Sequence, residues 1–427
     1  MFTFRSPSGV TVHDMTTSPL ADERKNMSRE DHAASEEAAH LSSPFERFGL
    51  SGRALQIINW LAVVAAVYVL ITAVGVIGSG FKIATGDQAE TLFEFATNPV
   101  IGLMIGVVAT ALTQSSSTTT SVTVGLVAGG LPLSVAIPII MGANIGTTLT
   151  NTLVSLGMVK DKDAFRRGFA AATVHDFFNL IAVAIFLSLE MAFGLLERLS
   201  IALASVTSGT DGGVVASFFG GIGTVVEAVT KPLAETIEAG LSWLPGMWQG
   251  IVMIAVAVAL ILMVINFIGR LLKVLMVGRA KQVLHAAIGR SPITGIASGT
   301  AVTVMVQSSS TSTALAVPLA GSGAFTLKQI YPYTLGTNIG TTVTALISAF
   351  AFTGPEATIA LTAAYAHLLF NVMAVTLIYG VPFLRNLPPR GATWLAALAA
   401  EKKIYAAVWV LGVFVAVPLA LILVTSL

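Results

Sequence analysis

Cysteine is absent from the 427-residue sequence, and charged residues are scarce. Without cysteine the chain has no disulfide, no thiolate nucleophile and no cysteine-ligated metal. Charged residues make up 11% of the sequence, whereas a soluble globular chain carries roughly 25%. The formal net charge is only +1 and no block of Lys and Arg stands out, so nucleic-acid binding is not indicated. This composition indicates that lipid is the solvent for most of the chain.

Residues 1–53 differ from the rest, because they hold many of the charges, in both signs, and few large apolar residues. Such a segment cannot bury enough apolar surface to fold, which predicts a disordered polar tail. It also lacks the apolar core of a cleavable signal peptide, so the first apolar span would act as an uncleaved membrane signal. The sequence leaves both Met1 and Met27 open as the translation start.

Seven apolar stretches are long enough to cross a bilayer as helices, which takes about 20 residues. They are residues 54–78, 133–159, 168–193, 250–272, 327–352, 358–383 and 404–424. Two further apolar stretches, 99–130 and 292–323, carry runs of small hydroxyl residues at their centres. Because such centres are poorly suited to facing lipid, these two stretches do not have the character of plain spans.

The two hydroxyl-rich stretches belong to an internal duplication. The matched segments are 114–118 with 307–311 (Q-S-S-S-T in both), 142–148 with 336–342 (G-A-N-I-G-T-T and G-T-N-I-G-T-T), and 175–179 with 367–371 (H-x-x-x-N in both). Their offsets are 193, 194 and 192 residues. Long matches in fixed order indicate a duplicated half-molecule, since the offset is far longer than any solenoid period.

The distribution of Lys and Arg predicts the orientation, because basic loops stay in the cytoplasm. Residues 160–167, 270–290 and 385–403 are rich in Lys and Arg, whereas residues 81–97 and 196–244 lean acidic. If each Q-S-S-S stretch crossed the membrane once, the basic loop 160–167 would lie outside. If each is instead a re-entrant hairpin that enters and leaves on one side, every basic loop and the N-terminus lie in the cytoplasm.

The sequence therefore predicts an all-α polytopic membrane protein built from two inverted-topology repeats. Each repeat has three spanning helices and one re-entrant hairpin with Q-S-S-S-T, and the odd number of spans forces the second repeat upside down. In transporters of this plan the site lies near the midplane, where the repeats meet. The predicted units are a polar tail (1–53), repeat 1 (54–196), an extracytoplasmic linker (197–248), repeat 2 (249–383), and a cytoplasmic loop with a C-terminal transmembrane helix (384–427).

The two Q-S-S-S-T segments have the chemistry of an ion site. Each hairpin would start at an N-cap followed by proline, at Asn98 and at Ser291, and the hydroxyl-rich centre would form the turn between two half-helices. Half-helix N-termini present free N–H groups to an anion. The hydroxyls and the Gln amides donate to a phosphate oxygen or accept a cation. The alternative is that small hydroxyl residues only let helices pack closely.

The other two matched pairs of segments supply further oxygen and nitrogen ligands. In 142–148 and 336–342, the Gly and Asn residues predict helix breaks, and unwound carbonyl groups bind sodium in such transporters. The alternative for these glycines is close helix packing. The His and Asn of each H-x-x-x-N motif share one helix face, and a ligand role and interhelical hydrogen bonding are both open. A zinc site is not expected, because no Glu or Cys accompanies these histidines.

No charged residue occurs between Glu94 and Lys160, nor between Arg290 and Lys328. An anion at the hairpin tips would therefore have no Lys or Arg to neutralise it, and burying a bare dianion is very costly. Co-bound cations would have to compensate the charge, which couples binding of the anion to binding of the cation.

These motifs, together with F-R-R-x-F-x-x-x-x-V-H-D-F-F-N at residues 165–179, resemble a bacterial member of the type II sodium-dependent phosphate cotransporters, over residues 54–421. The resemblance implies a sodium-coupled symporter, not an enzyme, that imports inorganic phosphate across the plasma membrane by alternating access without a cofactor. The expected phosphate ligands are Gln114, Ser115, Ser116, Ser117, Gln307, Ser308, Ser309 and Ser310. The expected sodium ligands are Gln114, Thr118, Asn144, Thr147, Thr148, Asp176, Gln307, Thr311, Asn338, Thr341 and Thr342.

Asp176 interrupts the duplication, because its counterpart is Leu368. A carboxylate inside the membrane costs roughly 2.5–3.5 kcal/mol on insertion scales and is a functional-site candidate by default. The resemblance implies that Asp176 serves an extra sodium ion, which would make transport electrogenic. The alternative is a structural pairing with Arg166, Arg167 or His175.

The sequence also departs from the animal members of that family. It lacks the cysteines of their extracellular loop, whose counterpart is about residues 196–244, and their long C-terminal tail for scaffold binding, so regulation by such partners is not expected. A sodium symporter for another small anion and a passive anion channel remain as alternatives, although a channel would not need paired inverted hairpins. A membrane enzyme is disfavoured, because the intramembrane regions hold no Ser-His-Asp set or metal cluster at workable spacing. The oligomeric state stays open.

Labelling of one introduced cysteine tests the hairpin topology. Asp163→Cys places the only thiol of the chain in the basic loop 160–167, which we expect on the cytoplasmic face. A membrane-impermeant maleimide should label this thiol in inverted vesicles and leave it unlabelled in intact cells. Efficient labelling of intact cells would mean that the first Q-S-S-S stretch crosses the membrane once.

Overall fold

A computed structural model describes residues 43–86, 98–208, 213–288 and 290–425, and these residues are mostly helical, without a strand. The predicted polar tail lies outside the described residues up to residue 42, as do both candidate translation starts. Most of the predicted outer loop 81–97 also lies outside them.

The helices can be grouped by the predicted boundaries of the two repeats. Those of the first repeat are α1 (Gly52–Thr85), α2 (Pro99–Thr113), α3 (Ser116–Gly129), α4 (Leu133–Gly146), α5 (Thr148–Leu156) and α6 (Lys162–Phe193). The region of the predicted linker contains α7 (Leu195–Ser208) and α8 (Gly213–Leu241). Those of the second repeat are α9 (Gly246–Ala287), α10 (Pro292–Val306), α11 (Ser309–Gly321), α12 (Leu327–Ala349) and α13 (Gly354–Ala374), which continues as a π-helical turn, Val375–Tyr379. The C-terminal helices are α14 (Pro382–Arg385), α15 (Leu387–Glu401), α16 (Ile404–Leu411) and α17 (Val417–Thr425), with the π-helical turn Gly412–Ala416 joining the last two.

Six helical stretches in the described part of the chain are long and apolar enough to cross a membrane. They are Gly52–Thr85, Leu133–Leu156, Lys162–Phe193, Gly246–Leu272, Gly354–Tyr379 and Ile404–Val424. These match six of the seven predicted spans and confirm an all-helical polytopic membrane protein. The seventh, 327–352, forms α12, which is long enough but is not among the six apolar helices. It is rich in threonine and contains Asn338. Its Thr334, Thr337 and Thr341 are buried, so the polar side of α12 faces protein.

Each Q-S-S-S-T segment turns between two helices. Turn 1 (Gln114 and Ser115) joins α2 to α3, and turn 2 (Gln307 and Ser308) joins α10 to α11. Both glutamines have left-handed backbone conformations, with φ of 51° and 53°, which no other described residue except glycine adopts. The predicted hydroxyl-rich turn is confined to Gln and the first Ser, since the remaining Ser-Ser-Thr forms the first turn of the next helix.

The predicted starts of α2 and α10 are confirmed by their capping groups. The Asn98 side chain accepts the N–H of Val100 at 2.9 Å. Ser291 forms a capping box with Thr294. Proline follows each cap at the first helical position, where its missing N–H is no loss.

Glycines of the matched segments 142–148 and 336–342 bring helices into backbone contact. A Cβ atom on Gly142 would overlap the carbonyl oxygen of Leu103, and one on Gly336 would overlap that of Ile296. α2 therefore packs directly on α4, and α10 on α12, as small residues allow. The predicted helix breaks are largely wrong, because glycine serves here for close approach. Only Thr147 interrupts the first copy, with helical φ and ψ of −58° and −31°, and α12 is continuous.

The two repeats interleave around a shared core. α3 of the first repeat packs against α12 and α13, and α11 of the second packs against α5 and α6. Phe186 of α6 meets Phe370 of α13 edge to face, with ring centroids 5.8 Å apart. α1 and α9 pack along each other. Neither repeat therefore has a separate core of its own.

Gly106→Ala tests the close packing of α2 on α4. A Cβ atom at this position would overlap the carbonyl oxygen of Ile139, and overpacking of this kind costs about 1–3 kcal/mol. We expect a clear fall in the Tm of the detergent-solubilised protein. The matched control is Gly240→Ala in α8, where a Cβ atom meets nothing within 4 Å and the Tm should hold or rise slightly. Equal Tm values for the two variants would contradict the backbone contact.

Candidate functional site

Both turns lie in the wall of one cavity of about 200 Å³. All of the predicted phosphate ligands line it, namely Gln114, Ser115, Ser116, Ser117, Gln307, Ser308, Ser309 and Ser310. Thr311, a predicted sodium ligand, lines it as well. The structure therefore brings together two segments that are 193 residues apart in the chain.

Two helix N-termini lie in the wall of this cavity. α3 begins at Ser116 and α11 begins at Ser309. Ser115 and Ser308 cap these helices, because each side-chain oxygen accepts the N–H three residues further on at 3.2 Å. The amides of the first two residues in each helix have no acceptor within the helix, and the helix dipole adds positive potential there. This wall suits an anion with several acceptor oxygens.

The two glutamines of the turns have different surroundings. Gln307 accepts a hydrogen bond from Thr344 of α12 at 3.0 Å through Oε1, and donates to the Val304 carbonyl at 2.8 Å. Gln114 is exposed, and no hydrogen bond to its side chain occurs within the described residues. The first-repeat counterpart of Thr344 is Thr150, at the offset of 194. The two glutamines therefore occupy matching positions in the sequence but differ in the hydrogen bonds of their side chains.

The cavity wall includes a face of α9 that the sequence analysis missed. It is formed by Ile265, Asn266, Gly269 and Arg270. Arg270 is the one formally charged residue among the described residues of the wall, so the expectation that no Lys or Arg lies near the hairpin tips is wrong. That expectation considered only the charges within the hairpin segments. A signal was present, because Asn266 and Arg270 are polar residues four apart in an apolar span.

The other predicted sodium ligands are buried and do not line this wall. Outside the described lining lie Thr118, Asn144, Thr147, Thr148, Asp176, Asn338, Thr341 and Thr342, all of them buried. The threonines of the N-I-G-T-T motifs donate to backbone carbonyl groups three or four residues earlier in the chain. For example, Thr147 donates to the carbonyl oxygen of Ala143 at 2.9 Å. Their hydroxyl oxygens keep lone pairs for a cation, and their sodium role stays a prediction.

Buried histidine and asparagine side chains join the two repeats. His175 Nε2 donates to Oδ1 of Asn338 at 2.5 Å. Asn338 Nδ2 in turn donates to Oδ1 of Asn179 at 2.8 Å. Asn179 also donates to the backbone carbonyl of Asn144 at 2.8 Å. First-repeat residues on α6 thus bond an asparagine of the second repeat.

Two of these contacts recur with the repeats exchanged, whereas Asn371 Nδ2 donates to the backbone carbonyl of His367 rather than to that of Asn338. His367 Nε2 donates to Oδ1 of Asn144 at 3.3 Å, and Asn144 Nδ2 donates to Oδ1 of Asn371 at 3.0 Å. All of these side chains are buried. For the two H-x-x-x-N motifs, the structure shows the hydrogen-bonding alternative. The side chains of Asn144 and Asn338, which were predicted to bind sodium, are engaged in the same bonds.

Asp176 has only 1% of its surface exposed and contacts the C-terminal part of the chain. Its Oδ2 accepts the indole N–H of Trp409 at 2.7 Å. Phe177 stacks on that indole, with ring centroids 4.9 Å apart. The other carboxylate oxygen, Oδ1, is buried and makes no well-formed hydrogen bond among the described residues, although the Thr148 side chain is close enough to interact with the carboxyl group. One oxygen of this carboxylate is thus left for a ligand.

The alternative partners of Asp176 are occupied elsewhere. Arg166 lies 3.8 Å from Asp163, and Arg167 donates to the Gly321 carbonyl at 2.9 Å. His175 bonds the second repeat, as described above. The sequence analysis missed Trp409, because a tryptophan in an apolar helix outside the duplication carries no positional signal.

Comparison with known proteins identifies relatives of this arrangement. A family model described as Na+/Pi-cotransporter matches residues 69–210 and 260–382. Sodium-dependent phosphate transport protein 2A of Ovis aries is 33% identical over 417 residues, with 82% of this chain and 65% of that protein covered. The 2A protein of Rattus norvegicus is 32% identical over 415 residues, with 82% and 65% covered. The 2B protein of Homo sapiens is 30% identical over 449 residues, with 82% and 63% covered. No solved structure matches.

The matched ranges contain both turns, the crossed hydrogen bonds, Asp176 and Arg270, whereas Trp409 lies beyond them. The chain spans less than two thirds of the length of these three relatives. Because the family model covers the residues of both repeats that form the cavity, the chain belongs to the Na+/Pi-cotransporter family.

Proposed function

We propose that this protein is a sodium-coupled symporter that imports inorganic phosphate across the plasma membrane by alternating access. The observation that carries the proposal is the meeting of both Q-S-S-S turns in one cavity. Two helix N-termini and their serine hydroxyls can donate to a tetrahedral oxyanion from two sides. The names of the relatives, sodium-dependent phosphate transport proteins, agree with this assignment.

Sodium is required because the cavity has little charge of its own. Arg270 contributes one positive charge among the described residues of the wall. A phosphate dianion bound there would remain net negative, and desolvating an uncompensated charge is costly. A bound sodium ion and a bound phosphate therefore stabilise one another. The absence of charge in the hairpin segments predicts coupling between phosphate and sodium binding. Because Arg270 neutralises part of the phosphate charge, we expect this coupling to be weaker but still present.

Sodium ions are assigned to the oxygen-rich segments of both repeats. Sodium is a hard cation and is expected to prefer hydroxyl, amide and carbonyl oxygens, as the harder divalent cations do. The residues assigned are Gln114, Thr118, Asn144, Thr147, Thr148, Gln307, Thr311, Asn338, Thr341 and Thr342. An additional sodium ion is assigned to Asp176, because its buried Oδ1 makes no well-formed hydrogen bond among the described residues. Three sodium ions with one divalent phosphate would carry one net positive charge per cycle.

The crossed hydrogen bonds support two inverted repeats. Matching contacts with the repeats exchanged are what a two-fold axis produces, and an odd number of spans per repeat places that axis in the membrane plane. α2 and α10 have 15 residues each, fewer than the roughly 20 of a full span, which supports re-entrant hairpins. In this arrangement the N-terminal side and the loop 160–167 face the cytoplasm of a bacterial cell, and the membrane is its inner membrane.

Phosphate uptake into proteoliposomes tests the proposed coupling. We expect uptake with an inward sodium gradient, and little uptake when potassium or choline replaces sodium. Ser116→Ala and Ser309→Ala should each weaken uptake roughly tenfold or more, because a desolvated charged ligand loses a hydrogen bond. The matched control is Ser188→Ala in α6, whose exposed hydroxyl bonds only its own helix at Ala184.

The control variant should transport phosphate at the wild-type rate. Equal phosphate uptake in sodium, potassium and choline would show that transport is not coupled to sodium. Wild-type kinetics in both Ser116→Ala and Ser309→Ala would reduce the two turns to packing devices.

Asp176→Gly tests the additional sodium ion. Each charge moved is worth about 2.3 kcal/mol per 100 mV, so wild-type uptake should quicken when valinomycin and potassium impose an inside-negative potential. Asp176→Gly should keep sodium-dependent uptake but lose this voltage response and lower the sodium cooperativity. Asp163→Asn removes an exposed carboxylate of the same helix and should keep the full response. Full voltage dependence in Asp176→Gly would show that this carboxylate binds no transported sodium.

A further inference from the structure

A polar face of α9 forms one wall of the cavity between the turns. Asn266 and Arg270 are four residues apart, so they lie on the same side of the helix, and both line the cavity with Gly269. They lie in the last turns of the apolar candidate span Gly246–Leu272. Polar residues in such a span are costly where they face lipid and are expected where they face a wet cavity.

The first repeat contains the counterpart of this face without its charge. Residues 77–82 of α1 (I-G-S-G-F-K) align with residues 268–273 of α9 (I-G-R-L-L-K), at an offset of 191. This offset lies within one residue of the range of 192 to 194 found for the other matched segments. Arg270 of the second repeat therefore corresponds to Ser79 of the first.

The two faces line different cavities, and their equivalent glycines have different neighbours. A Cβ atom on Gly78 of α1 would lie 2.8 Å from the ring of Phe352, just beyond α12, so Gly78 contacts protein, although its neighbour Ser79 is exposed. A Cβ atom on Gly269, the equivalent glycine of α9, would meet nothing within 4 Å. The α9 face is therefore open to the cavity.

Packed helices separate the turns from the surroundings of Ser79. Ser79 lines a second cavity of about 350 Å³, together with Ala351 beyond the end of α12. Thr344 of the same helix bonds turn 2. Between these two positions, Ser348 donates to Oγ of Ser121 in α3 at 2.7 Å. The cavity between the turns is thus closed on the Ser79 side and open along the Arg270 side.

We propose that Arg270 contacts phosphate in only one of the two access states. It supplies a positive charge when the α9 face lines the cavity, and Ser79 supplies none when the α1 face takes its place. This inference rests on the proposed function. When α9 takes the place that α1 has in this structure, the guanidinium group leaves the cavity between the turns, because Ser79 lines a separate cavity here. Phosphate is therefore held more strongly from the Arg270 side, which is the predicted cytoplasmic side.

Phosphate entry into right-side-out and inverted membrane vesicles tests this one-sided role. The vesicles are prepared from cells that contain the protein and, as a background control, from cells that lack it. The sodium concentration on the entry side is the same for both vesicle orientations. In Arg270→Gln, the half-saturating phosphate concentration should rise about tenfold for entry from the cytoplasmic side and change less than about twofold for entry from outside. Arg270→Lys keeps the charge and should keep most of the affinity. Arg290→Gln removes an equal charge outside the described lining and should match wild type on both sides.

The inference would be overturned if folded Arg270→Gln protein showed the same change in half-saturating phosphate concentration on both sides, or no change on either side. If Arg270→Gln does not fold, wild-type entry at low and high ionic strength decides instead. Screening should weaken entry from the cytoplasmic side more than entry from outside, and equal salt effects would overturn the inference. Wild-type vesicles without sodium-dependent phosphate entry would instead contradict the proposed function itself.

Discussion

Each repeat buries histidine and asparagine side chains whose hydrogen-bonding partners come from the other repeat, and the way the two halves fit together depends on this exchange. A buried polar group without a partner costs about 1–3 kcal/mol. The bonds from His175 to Asn338 and from His367 to Asn144 therefore hold the repeats in one register. In that register α3 and α11 each insert into the opposite repeat. The two turns meet in one cavity only because of this interleaving, so neither repeat alone contains a complete site.

Backbone contact at glycine gives each turn a stiff support. α2 packs on α4 at Gly142, and α10 packs on α12 at Gly336, with no space for a Cβ atom at either place. Close-packed interiors resist small deformations, so each turn is expected to move together with its helix pair. α9 differs, because Gly269 leaves a gap beside the cavity. Under the proposed alternating access, movement is therefore expected between such pairs and the long helices α1 and α9.

The duplication could be read from the sequence because both copies keep the same residue types at nearly constant offsets. That regularity predicted which segments correspond and where α2 and α10 start, at Pro99 and Pro292. Residues at which the copies differ could not be placed in this way. Arg270 corresponds to Ser79, and Trp409 lies outside the duplication altogether. The helix breaks were predicted wrongly because glycine permits both unwinding and close approach, and only the position of the neighbouring backbone distinguishes the two.

The two copies of one motif lie in unlike surroundings, with Gln307 bonded to α12 and Gln114 unbonded among the described residues. Under the proposed alternating access, a chain of two similar halves would have a second arrangement in which the halves exchange these roles and recover the same kinds of contact. The two arrangements are then close in free energy, and a ligand shifts the balance only by its differential affinity for them. Residues that break the duplication supply this difference. Arg270 corresponds to Ser79 in the first repeat, and Asp176 has no acidic counterpart in the second. Under the proposed function, the shared motifs hold phosphate in both states, and these unshared charges make the two states unequal.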